Sequence, residues 1–150
     1  MFSNDYRRLA YDEIFANLLT LLSARRSIRA KKKKKKVYYN KLSQIILNNF
    51  PFELTNDQKK VLKNLDNDIK SENRMFRLLQ GDVGSGKTIL ALIATANVIE
   101  SGYQVALMAP TEILATQHYE LAKKLFFLTN IKIGLLTSKI TPKDKKKNYT

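Results

Sequence analysis

Cysteine is absent from this 150-residue sequence, which excludes a disulfide framework and any thiolate metal site. That fits a reducing compartment, and a cytoplasmic protein is the expectation. No apolar run approaches the ~20 residues of a membrane span. Charges interrupt the apolar stretch at the N-terminus, so it lacks a signal-peptide pattern. Acidic residues are few: 13 Asp and Glu stand against 27 Lys and Arg, a net charge of +14. The excess sits toward the two ends, and residues 51–100 are balanced. Such an excess suits a polyanion partner; the Lys bias of an AT-rich genome is the bland alternative. Glycine and proline are scarce, at 5 and 3. The glycines that do occur are concentrated at Gly81, Gly84 and Gly86.

Those glycines belong to Gly81-Asp82-Val83-Gly84-Ser85-Gly86-Lys87-Thr88, which fits G-x-x-x-x-G-K-[ST] without a gap. Phe76 to Gln80 before it reads as a short buried strand. Ile89 to Ile99 after it is apolar or small and favours helix. The chemistry explains the residue types. A polyphosphate needs many donors at close range. Gly84 and Gly86 permit positive φ and leave no Cβ in the way, so successive N–H groups can form a nest. A helix starting near Lys87 adds unpaired N–H groups and the positive end of its dipole. Lys87 is expected to reach the β- and γ-phosphates. The Thr88 hydroxyl is expected to ligate Mg²⁺. Asp82, Val83 and Ser85 shape the loop.

Residues 4–30 predict one long helix. Tyr11, Ile14, Phe15, Leu18 and Leu22 recur at helical spacing, with Arg7, Arg8, Arg25, Arg26 and Arg29 alongside. A stripe this broad is expected to pack on something. Lys31 to Lys36 is a homopolymeric run. Like charges repel, so a mobile or frayed extension is expected. Contact with DNA phosphates and an expansion without a role both remain open for it.

A short helix is expected over residues 40–49, ended by Phe50-Pro51-Phe52. Thr55 predicts the cap of a helix with Gln58 at the capping-box position. Tyr103 to Ala109 and Ile131 to Thr137 predict two further strands. Thr111 caps a helix to about Phe127, and Thr141-Pro142 opens a last one. Strands alternating with helices imply right-handed βαβ units and a parallel sheet. Ligands then bind at strand C-terminal ends, where the phosphate loop, Pro110-Thr111 and Thr137-Ser138 all fall.

The run from Phe50 to Thr55 with Gln58, the run from Arg77 to Thr88, and Met108 to Ala115 with Gln117-His118 together resemble the RecG family of superfamily 2 DNA helicases. Arg7 to Glu13 is similar to that family's helix between wedge and motor domains. The resemblance covers nearly the whole chain. It implies an α/β fold: part of a RecA-like P-loop motor domain, at 50–150, preceded by a long N-terminal helix in a 1–49 linker.

The resemblance also implies site roles. ATP and Mg²⁺ would be the cofactors, held by residues 81–88. Gln58 would read adenine, its amide offering a donor and an acceptor at once, and Phe52 would stack on the base. Gln58 is equally a capping-box residue and Phe52 equally a core residue. Pro110, Thr111, Glu112, Gln117, His118 and Thr137 would follow DNA. His118 is expected to be structural or close to DNA rather than catalytic. Where the family usually has glycine after the threonine, this chain has Ser138. No Asp-Glu-x-His motif occurs. The expectation is therefore a truncated, monomeric part of a helicase acting on branched DNA, a poor ATP hydrolase alone. A coupling-factor-type translocase and a non-catalytic basic nucleic-acid-binding fragment are the alternatives.

Overall fold

Five helices organise the chain in the computed structural model, which describes residues 4–138: α1 (Asn4–Ala30), α2 (Lys41–Asn49), α3 (Asn56–Lys70), α4 (Lys87–Glu100) and α5 (Glu112–Leu125). The expected final helix from Thr141 lies outside the described residues. The periodicity and the capping residues account for the helices. Thr55 and Gln58 form a complete capping box at α3, each side chain meeting the other's backbone N–H. Thr111 accepts from the Leu114 N–H at the start of α5.

The apolar helix α4 is the centre of the molecule. Ile89, Leu90, Leu92, Ile93 and Ala96 are buried, and Ile46, Leu54, Ala122, Leu125 and Phe126 pack into the same core. Each large aliphatic side chain buried there contributes about 1.5–3 kcal/mol. Both α2 and α3 lie against α4.

Polar bonds lock this arrangement. Asp66 of α3 accepts from the buried Asn97 amide of α4 at 2.9 Å and from the Tyr38 hydroxyl at 2.9 Å. Asn40 precedes α2 with φ 60° and no side-chain cap. Glu100 supplies the missing acceptors, taking the N–H groups of Tyr39 at 2.7 Å and Leu42 at 3.2 Å.

Three segments expected as strands differ from that expectation. Residues 76–80, 103–109 and 131–137 run between the helices, but no strand ladder joins them among the described residues. Helical bonds close within four residues, whereas a parallel ladder must align distant segments. Leu79, Ile131 and Ile133 still pack on the core, while Leu78 and Met108 face solvent.

The lysine run also departs from expectation. α1 stops at Ala30, and the run docks on the far end of α3 instead of fraying. Repulsion between ammoniums one turn apart disfavours continued helix. The C-terminus of α3 offers carbonyls and the negative end of its dipole. Lys33 takes that offer, donating to the carbonyls of Asp68 at 3.0 Å and Ile69 at 2.5 Å. α1 itself keeps its apolar stripe exposed, with Leu9, Tyr11, Ile14, Leu18 and Leu22 each more than half accessible.

Candidate nucleotide site

The phosphate-type loop is built as the sequence requires at its glycines. Gly84 and Gly86 have φ of 82° and 83°, a region costly for residues with a Cβ. Gly86 is also the N-cap of α4. A Cβ at Gly81 would come within 2.7 Å of Ser85 Oγ, and one at Gly86 within 2.6 Å of Gln58 Nε2. The Ser85 N–H bonds back to the Asp82 carbonyl at 3.2 Å and tightens the turn.

The loop folds around the Lys87 ammonium. Its Nζ donates to the carbonyls of Gly81 at 2.7 Å and Asp82 at 2.5 Å, and lies 3.3 Å from Ser85 Oγ. The cation is thus held over the loop by backbone oxygens. Beneath it, the N–H groups of Lys87, Thr88 and Ile89 have no acceptor among the described residues, nor does the Thr88 hydroxyl have a partner. Three amides, one hydroxyl and one ammonium at a helix start fit a phosphate chain and its bound cation. Among the described residues no cluster of three His, Cys, Asp or Glu could hold a metal. Mg²⁺ at this loop would rest on Thr88 and the phosphates.

Gln58 reaches this loop, a contact the sequence did not reveal. Its Oε1 accepts from the Thr55 N–H at 2.8 Å, and its Nε2 donates to the Ser85 carbonyl at 2.9 Å. One carboxamide therefore caps α3 and braces the loop across 27 residues. No local pattern signals that second bond. Phe52 is exposed and does not touch the loop itself. It meets Phe50 edge to face, with centroids 5.8 Å apart. Both line a cleft of about 700 Å³ with Leu54 and Leu62. None of residues 81–88 borders that cleft.

The residues expected to follow DNA divide into two groups. Glu112 draws the ends of two segments together: its Oε1 accepts from the Ser138 N–H at 3.0 Å and the Ser138 hydroxyl at 2.5 Å. Pro110, Thr111 and Thr137 adjoin that contact in the chain. The hydroxyl bond exists because serine stands at 138. Gln117 and His118 lie further along α5, exposed and half-buried respectively.

Residues 55–150 match the DEAD/DEAH box helicase family. The chain belongs to the DEAD/DEAH box helicases. Within that family it is similar to the ATP-dependent DNA helicase RecG of Aquifex aeolicus, at 41% identity over 96% of this chain and 18% of that protein. It is also similar to RecG of Borreliella burgdorferi, at 45% identity over 93% of this chain and 20% of that protein. The solved structure of RecG bound to a three-way DNA junction superposes with a TM-score of 0.81 at 42% identity. That match covers 94% of this chain and 19% of the solved one. The chain thus spans about a fifth of the length of the curated relatives it matches. Among its described residues no helix is long and apolar enough to cross a membrane.

Proposed function

We propose that the chain is the ATP-binding front part of the first motor domain of a RecG-like, ATP-dependent DNA helicase that acts on branched DNA. The observation that carries this reading is the loop from Gly81 to Thr88: two left-handed glycines, open amides and a lysine poised over them. The family match and the RecG relatives support it. In the complete protein, residues 76–80, 103–109 and 131–137 would pair as parallel strands. They would then deliver the loop, Pro110-Thr111 and Thr137 to one edge. The protein would work in the cytoplasm as a monomer.

Bound ATP with Mg²⁺ would supply the phosphoryl group whose hydrolysis drives movement along DNA. The chain's own residues would bind and orient it. Lys87 would release the Gly81 and Asp82 carbonyls and turn to the phosphates. Thr88 would hold the cation. Gln58, with a second amide N–H and a further lone pair left over, would read adenine, and Phe52 would stack on the base. Pro110, Thr111, Glu112, Gln117, His118 and Thr137 would line the DNA path.

Lys87→Ala in the complete protein tests the reading. The expected outcome is a drop in DNA-stimulated ATP turnover of about 100-fold or more, the scale seen when one charge-stabilising donor is removed. DNA binding in the absence of nucleotide should persist. Unchanged turnover would refute the assignment. Residues 1–150 alone should turn over ATP poorly.

A further inference from the structure

The nucleotide site leaves the lysine run unused, and the structure gives that run a fixed place. Lys33 caps α3, and its backbone N–H bonds to the Glu72 carbonyl at 2.8 Å. Lys32 pairs with Asn73 in an antiparallel bridge and donates to its side chain at 2.9 Å. Lys36 sits 3.9 Å over the Tyr103 ring. Asn73 and Tyr103 both precede or open extended segments whose other ends carry the candidate site. The run therefore straps the pole opposite the phosphate loop. α3 spans the two poles over 15 residues, about 22 Å.

Two of the six lysines sink into the surface and the other four face outward. Lys33 and Lys36 are half-buried, while Lys31, Lys32, Lys34 and Lys35 are exposed. Lys32 and Lys35 each hold one exposed partner, an interaction worth little in water. Because the bridge at Lys32 and Asn73 is antiparallel, Lys31 and Arg74 fall opposite one another. Among the described residues Lys31, Lys34 and Arg74 have no carboxylate partner. Lys31 and Arg74, like charges opposite one another across the bridge, are unfavourable there unless an anion joins them, and Lys34 adds an exposed charge on the same strap. The docking also means that the strap is ordered before any partner arrives.

We propose that Lys31, Lys34 and Arg74 form a second nucleic-acid contact, which grips the phosphate backbone of a duplex segment separate from the strand at Pro110 and Thr111. A branched substrate offers such a second segment. This inference rests on the reading of the chain as a DNA helicase.

The experiment measures duplex binding by the complete protein without nucleotide, as a function of salt. The parent should show log affinity falling linearly with log salt. The triple variant Lys31→Gln/Lys34→Gln/Arg74→Gln should reduce that slope by about 2–3, near 0.9 for each phosphate no longer neutralised. Lys31→Arg/Lys34→Arg should keep the parent slope. A triple variant with the parent slope overturns the inference and leaves the helicase reading standing. Weakened binding to phosphatidylserine vesicles beside an unchanged DNA slope overturns it too. A parent with no salt-dependent DNA binding overturns both.

Discussion

Gly84 and Gly86 share nearly the same φ, yet their surroundings differ. Nothing lies within 4 Å of a Cβ built on Gly84, whereas one on Gly86 meets Gln58 Nε2 at 2.6 Å. Gly84→Ala should cost about 1–2 kcal/mol, the strain of a left-handed alanine. Gly86→Ala should cost more, because it also expels the Gln58 amide from the Ser85 carbonyl. Denaturant unfolding of the two variants checks the order. Equal costs would mean that the Gln58 bond does not brace the loop. At this scale the sequence was legible for the loop, because spacing alone selects its residue types. Two side-chain bonds were not legible, Gln58 with Ser85 and Glu112 with Ser138. They cross 27 and 26 residues, and no periodicity reports a bond at such range.

Among the elements, the α3–α4 seam has a titratable reporter. Burial pushes the Tyr38 hydroxyl well above the ordinary tyrosine range, and the hydrogen bond to Asp66 adds to the shift. The folded state thus holds this proton more tightly than the unfolded chain. Its stabilisation is complete below about pH 10, the unfolded value, and declines as pH rises beyond it. Tyr38→Phe should cost about 1 kcal/mol near neutral pH. The gap between parent and variant should narrow above about pH 10. Stability curves at neutral pH and at roughly one unit either side of the tyrosine value decide it, and a constant gap would refute the linkage. Helices were legible here because their bonds and caps are local: Thr55, Gln58 and Thr111 stand at the positions the pattern names. The extended segments were read as strands, and they do run between the helices without helical structure of their own. Their pairing depends on partners far away in sequence, and the described residues show no ladder.

For the whole molecule, the unequal treatment of α1 and α4 is the main feature. α4 is enclosed on its apolar sides. α1 carries an apolar stripe of similar length that remains open to water, apart from internal packing such as Tyr11 stacked on Phe15 at 5.9 Å. Leu18→Lys/Leu22→Lys should therefore change the stability of residues 1–150 by no more than about 0.5 kcal/mol per site, as for surface positions. A destabilisation of several kcal/mol would show that α1 is packed in solution. The amphipathic pattern revealed the stripe, but a pattern does not say what covers it. The lysine run was misread for a related reason: repulsion within it was visible, and the waiting carbonyls of α3 were not.

The shared duty of Gln58 has a thermodynamic consequence. Its carboxamide is a single group serving two neighbours, so a base that binds its remaining N–H and lone pair draws on a side chain already held by the first turn of α3 and by the loop. Occupancy at one pole would then be felt as a loosened helix start. Since the carbonyls at the far end of α3 hold Lys33, the helix start that Gln58 caps and the strapped pole belong to one element.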